Sequence, residues 1–301
     1  MTDPRYALLD DRGVIALSGA ETLSFLQGLL TNDVQPAGAR RAVYAALLTP
    51  QGKYLHDLIL VPSGDRFLLD CERARLDDLK RRLTLYRLRA KVTIDDVSDS
   101  LAVFALIGDD AAAKAGLSGV PGGTRPIGDG IAYLDPRLAA LGGRAILPRA
   151  TGAAMLAAAG FAPAPPADYR RLRVALGVGE GGGELGPDRT LALETGLDAL
   201  NGVSFAKGCY VGQEVTARMH NRKLVKKRIV PVMIEGPAPP PGTPVMLGGV
   251  EAGEMRAVQD GVGLALLRLE SVVEAEKGAT LTAGGSRVVP QPADWLKIQS
   301  T

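Results

Sequence analysis

The stretch Ser204 to Arg222, SFAKGCYVGQEVTARMHNR, gathers the residue types best suited to chemistry. It holds Cys209, one of two cysteines in the chain, set between Gly208 and Tyr210 with Lys207 two positions before it. If a helix begins near Gly212 and runs through QEVTARM, Cys209 lies just ahead of its N-terminus, where unpaired N–H groups and the helix dipole favour a thiolate. Lys207 would add positive charge. A lone cysteine is also commonly an inert, buried filler, and the residues alone leave both readings open. A cysteine hydrolase needs a histidine base, and the chain has only His56 and His220. On a straight helix the spacing puts His220 about 16 Å from Cys209, and His56 reaches it only through tertiary folding. Two Cys and two His, none at CxxC or HExxH spacing, do not make a dedicated metal site. Cys209 can still lend one ligand to a cluster shared with another protein.

Other candidates are weaker. Asp57, in GKYLHDLIL, falls on an apolar strand after a turn; there an acid either meets water or finds a hydrogen-bonding partner. A carboxylate facing a pocket suits the amino-pyrimidinone edge of a pterin. The run RMHNRKLVKKR carries six positive charges in eleven residues, Arg218, Arg222, Lys223, Lys226, Lys227 and Arg228. It reads first as a solvated face, second as a seat for a polyanionic tail such as a polyglutamate. RNA comes third, because the run holds no aromatic residue for stacking. Gly177, Gly179 and Gly182 match GxGxxG formally, but Gly183, Glu184, Leu185, Gly186 and Pro187 follow where a phosphate-binding helix should start. That string is expected to be a mobile loop.

The elements that must position these residues alternate between hairpins and helices. YALLDDRGVIALSG reads as a hairpin, and Ser18 with Glu21 as a capping box before TLSFLQGLL. AVYAALLTPQGKYLHDLILV repeats the hairpin, with Thr49 to Gly52 as its turn. ERARLDDLKRRLTLYRL is an amphipathic helix, and AKVTIDDVSDSLAVFALIG returns to strands. An Ala-rich helix is expected around Ala153 to Ala159. Beyond Arg228, short runs broken by Gly and Pro predict a small β-barrel or sandwich. The pattern is α+β, not a doubly wound parallel sheet.

At 301 residues the chain is long enough for two or three cores. A net charge of +2, from 35 basic and 33 acidic residues, gives no field drawing the whole protein to nucleic acid or membrane. No apolar run is long enough to span a bilayer. Two cysteines make no disulfide framework, and the N-terminus MTDPRYALLDDRG does not read as a signal or transit peptide. A cytoplasmic address is expected.

FAKGCYVGQEVTAR resembles the KGCYxGQE signature of the YgfZ family, folate-binding proteins that assist iron–sulfur cluster assembly and are relatives of the glycine-cleavage T-protein. SGAETLSFLQGLLTNDV, LTPQGKYLHDLIL, LYRLRAKVTI, LETGLDALNGVSFAKG and AGEMRAVQDGVGLALLRLE extend the resemblance in order along most of the chain. It implies a T-protein-like fold, with residues 1–225 forming two interleaved α+β units around a folate channel and 226–301 a C-terminal β-barrel. It implies tetrahydrofolate or a derivative, including polyglutamylated forms, as ligand. Iron–sulfur client enzymes or assembly proteins are the implied partners, without nucleic acid or membrane. Cys209 would be the functional thiol, and Asp57, Tyr44, Tyr169, Glu194, Lys207, Tyr210 and Arg218 the folate contacts. The chain departs from the aminomethyltransferase pattern in two places. His56–Asp57 stands where those enzymes carry paired aspartates, and Ala175 in RVALG stands where they carry a glutamate. These losses point to an accessory protein and away from a conventional enzyme; the rival is a folate-dependent aminomethyl or one-carbon transferase with Asp57 as its essential acid.

Overall fold

The structure is a computed structural model that describes residues 3–117 and 119–296. Two compact units share the chain in alternating segments. The first takes Met1–Leu48, His56–Tyr169 and Asn201–Val211, and the second Thr49–Leu55, Arg170–Leu200 and Gly212–Thr301.

The first unit is built on two sheets. One runs in the order Val43–Leu48, Tyr54–Ser63, Arg66–Glu72, Arg12–Ser18, Thr93–Asp96. The other runs Ala162–Pro163, Arg5–Leu8, Leu101–Ile107, Gly143–Pro148, Gly130–Leu134, Thr124–Ile127. Strand periodicity divides the five-stranded sheet into two faces. Ile15, Leu17, Leu58, Leu60, Leu69 and Cys71 pack with Leu76, Leu79 and Leu83 of the helix Leu76–Arg87. On the six-stranded sheet Phe104, Leu106, Ala145 and Leu147 pack with Leu156 of the helix Gly152–Ala158.

The turn Thr49 to Gly52 forms where its residues place it. Thr49 N–H donates to the Lys53 carbonyl at 2.9 Å, and Gly52 takes φ +75°, a conformation a side chain would strain. Two local expectations fail. Arg5–Leu8 and Arg12–Ser18 are not a hairpin: the former pairs with Leu101–Ile107, the latter with Arg66–Glu72 and Thr93–Asp96. Each strand lies between two partners in its own sheet, Arg12–Ser18 largely buried there, and so is better satisfied than by its sequence neighbour. Nor does the capping box form. Ser18 ends a strand, the helix is Thr22–Gln27, and Glu21 accepts instead from the Lys91 N–H at 2.6 Å.

In the second unit a closed barrel runs Lys227–Glu235, Val262–Arg268, Val250–Gln259, Pro244–Leu247, Leu281–Ala283, Ser286–Pro290 and back to the first strand. Closure removes exposed sheet edges. Val230, Val232, Val245, Met255, Leu267 and Val288 fill its core. Gly253 is required by close approach, since a Cβ there would lie 2.0 Å from the Leu266 carbonyl oxygen. The glycine string is no mobile loop. Gly181–Leu185 forms a short helix, held by Glu184, whose carboxylate accepts from Arg173 Nη1 and Nη2 at 2.6 and 2.7 Å and from the Glu180 N–H at 2.8 Å.

Candidate functional site

The segment carrying Cys209 has no regular secondary structure, and side-chain and backbone bonds to Leu30, Thr31 and Asn32 hold it. Thr31 Oγ1 donates to the Gly202 carbonyl at 2.6 Å, and the Ser204 N–H donates to the Thr31 carbonyl at 3.0 Å. Lys207 Nζ donates to the carbonyls of Leu30 and Asn32 at 2.8 and 2.6 Å, and lies 5.4 Å from the centre of the Tyr210 ring. Burial lowers the Lys207 ammonium from 10.5 to about 8, with Asp33 opposing the shift. Its task here is therefore to pin the loop. Cys209 itself is exposed, which removes the inert-filler reading. The next helix is Gln213–Asn221, entered through Gly212 at φ +83°.

Beside these anchors the first unit holds a cavity of about 500 Å³, a volume in the usual range for small-molecule sites. Pro36, Pro121 and Pro136 give it apolar walls, and Tyr44, Asp33 and Arg41 are its aromatic and charged members. Asn32 and Asn201 build the wall: Asn32 Nδ2 donates to the carbonyls of Tyr44 and Asn201 at 2.8 and 2.7 Å. Arg41 is exposed and its Nε donates to the Pro121 carbonyl at 3.1 Å. Asp33 Oδ1 accepts from Gln27 Nε2 at 3.0 Å and the Gln35 N–H at 3.1 Å. Of the expected folate contacts only Tyr44 lines this cavity, and Lys207 grips its wall at Asn32.

The remaining expected contacts fall elsewhere. Tyr169 is not a free stacking face. Its hydroxyl accepts from Arg144 Nη2 at 2.6 Å and Arg137 Nη2 at 3.0 Å, inside a buried ionic cluster joining the two sheets. In that cluster Asp70 accepts from Arg12 Nε at 2.6 Å, Arg144 Nη1 at 2.6 Å and the Tyr133 hydroxyl at 2.8 Å. Asp135 pairs with Arg137 at 2.8 Å, and the Arg137 guanidinium sits 5.6 Å over the Tyr44 ring. The cluster thus ends on a cavity-lining residue. Asp57 is 2% exposed and does not line the cavity. In the second unit, Glu194 accepts from the Leu191 N–H at 3.0 Å, Arg218 is exposed on its helix, and Arg228 of the basic run is spent on Asp198 at 2.8 Å.

Asp33 is the acid that sequence reasoning passed over. Its signal was the Asn–Asp pair closing TLSFLQGLLTND, a turn immediately after an apolar helix. His56 is no base for Cys209, because its Nε2 donates to Asp78 Oδ2 at 2.9 Å. Burial, then Arg75, lowers His56 from 6.5 to about 4, against the pull of Asp78; Arg82 adds to the lowering. The unfolded chain therefore binds a proton near pH 6.5 that the folded chain refuses until about pH 4, so stability is full above 6.5 and falls as pH drops toward 4. His56→Gln is expected to flatten that part of a plot of urea midpoint against pH; an unchanged slope would assign it to other groups. Among the described residues, no group of three or more His, Cys, Asp or Glu could hold a metal ion, and no helix is long and apolar enough to cross a membrane.

The chain superposes on an aminomethyltransferase T of the glycine cleavage system from Bartonella henselae with a TM-score of 0.77 at 19% identity, covering 99% of this chain and 87% of that one. Residues 10–115 match the GCVT N-terminal domain and residues 226–298 the CAF17 C-terminal beta-barrel domain. The chain thus has an aminomethyltransferase-T-like fold class, α+β with a closed six-stranded C-terminal barrel.

Within that class the chain belongs to the IBA57 family. It is 37% identical to the iron–sulfur cluster assembly factor IBA57 of Mus musculus, over 88% of this chain and 77% of that protein. It is 36% identical to the Homo sapiens protein, over 95% and 84%. Both relatives are named mitochondrial, which overturns the cytoplasmic expectation. Addresses reside in segments read separately from the fold, so composition and folded residues were no guide to compartment.

Proposed function

We propose that this chain binds a reduced folate and serves iron–sulfur cluster assembly through the Cys209 thiol. The observation that carries the reading is the placement, in one unit, of a cavity suited to a small molecule and an exposed cysteine on a loop pinned to that cavity's wall. Names of the mouse and human relatives support the cluster-assembly half. A narrower kinship with the YgfZ proteins rests on residues 207–214, KGCYVGQE. Residues 1–225 would be the ligand-binding region and 226–301 the barrel.

The residues present fit a folate. A carboxylate such as Asp33 accepts from the amino-pyrimidinone edge of a pterin, Tyr44 and the prolines offer it apolar faces, and Arg41 complements an acidic tail. When bound, a tetrahydrofolate supplies a reduced ring able to carry a one-carbon group. The protein's residues bind and orient it, and hold the thiol outside. A one-carbon transferase finds less support, since Asp57 is buried and its neighbour His56 is held neutral at physiological pH by burial and by Arg75, against the pull of Asp78.

Calorimetric titration tests the ligand. Tetrahydrofolate should saturate one site, and Asp33→Asn should weaken it about tenfold, the loss of a charge-assisted bond. Arg41→Glu should weaken a polyglutamylated form more than the monoglutamate. Absence of saturable binding by the unaltered chain would end the folate half of the reading.

A further inference from the structure

The helix Leu76–Arg87 turns Leu76, Leu79 and Leu83 into the core of the first unit. Leu85 lies about 200° round the helix from Leu83, on the solvent side, and is 64% exposed. Tyr86 follows at 42% and Leu88 at 85%. Single exposed apolar residues need no explanation, but three within four residues at one helix end form a patch.

Leu88 carries a second cost. It closes the helix at φ +47° and ψ −108°, a conformation that suits glycine and strains a residue with a side chain. A glycine here would relieve the strain and remove the exposed side chain at once. Strain held at an exposed position is a reason to look for function.

Charge along the run that carries the patch is positive, with Glu21 as the acid that reaches it, at the Lys91 N–H. Lys80, Arg81, Arg82, Arg87, Arg89 and Lys91 place six cations in residues 80–91 with no acid among them, whereas the whole chain carries only +2. Arg81 and Arg82 pair with Asp78, and Arg87 Nη1 donates to the Val92 carbonyl at 3.3 Å. Arg89 and Lys91 are exposed on either side of Ala90, next to Leu88.

We propose that Leu85, Tyr86 and Leu88, framed by Arg89 and Lys91, form a docking surface for a protein partner that offers an apolar pocket rimmed by carboxylates. Tyrosine and arginine are residues enriched at interface hot spots, the exposed leucines beside them supply apolar area to bury, and basic flanks choose an acidic rim. A lipid surface is the poorer occupant, because the helix has spent its apolar face on the core and has no second one to lay in a membrane. RNA is poorer still, with a single tyrosine for stacking. The inference stands apart from the folate reading.

The test places a photo-cross-linking phenylalanine analogue at Leu88 of the full chain in cells. A control chain carries it at Val250, 70% exposed on the barrel. An adduct specific to position 88, mapping to a segment rich in Asp and Glu, is expected. With that partner purified, Leu88→Ser should weaken binding about thirtyfold. Arg89→Glu and added salt should weaken it too, and Leu88→Gly should raise the melting midpoint while losing affinity. No adduct above the Val250 control, or equal affinity for Leu88→Ser, overturns the proposal. Leu88-dependent binding to phosphatidylcholine–phosphatidylglycerol vesicles or to polyuridylate also overturns it, in favour of lipid or RNA.

Discussion

Arg144→Met is expected to cost about 3–5 kcal/mol of stability, because it strips a partner from charges that have no access to water. Arg144 is wholly buried and bonds Asp70 and the Tyr169 hydroxyl at 2.6 Å each, with Asp135 3.4 Å from its Nε. Tyr133 and Arg144 stand opposite each other across two strands, so one face of the six-stranded sheet delivers both to Asp70 on the other sheet. Removal of Arg144 leaves Asp70 with Arg12 and the Tyr133 hydroxyl, and Asp135 with Arg137 alone, in a medium that cannot screen them. Arg144→Lys should fail almost as badly, since one ammonium cannot reproduce a planar fork reaching two acceptors. Urea unfolding followed by circular dichroism measures the loss. A shift below about 1 kcal/mol, ordinary for surface changes, would mean the cluster is not holding the sheets.

Cys209→Ser is expected to abolish function without touching the fold. The thiol is exposed, so stability should stay within about 0.5 kcal/mol of the unaltered chain. Iron–sulfur enzyme activities in a strain lacking the chain should remain at the deletion level when the variant is supplied. Full restoration by Cys209→Ser would remove the thiol from the proposed function. Cys71 provides the contrast. It is fully buried, its Sγ lies 3.7 Å from the Gly13 carbonyl, and burial pushes its thiol well above the usual range. In the folded protein iodoacetamide should label Cys209 and spare Cys71, and Cys71→Ser should lower stability while leaving activity per folded molecule intact.

Features encoded by neighbouring residues could be read from the sequence. The turn ending at Gly52, the helix after Gly212 and the barrel strands each announce themselves within a few residues. Cys209 stood out because a glycine-flanked cysteine beside a lysine is poor company for a core. What sequence could not show depended on distant pairs. Arg12 finds Asp70 58 residues away and Arg144 finds it 74 away, leaving no local period to detect. Arg5–Leu8 looked like half of a hairpin because its true partner, Leu101–Ile107, lies far along the chain. The glycine string looked loose because glycine propensity describes the backbone and is silent about Arg173 fastening Glu184. Tyr169 could be singled out as a useful aromatic, but its commitment to two buried arginines required the fold. Lys207 was legible as a charge, and only the structure turned it into a clamp.

The alternation of segments between the two units governs the order in which a ribosome can complete them. Both sheets of the first unit are fully translated by Pro163, yet that unit lacks Asn201–Val211 until Arg170–Leu200, which belongs to the second, has emerged. At about 5–20 residues per second the wait lasts a few seconds. During it the carbonyls of Leu30 and Asn32 are already made and the lysine that will seize them is not. The cysteine-bearing loop is therefore a late addition to an older scaffold, and a nascent chain arrested before Val211 would display the sheets without the thiol in place.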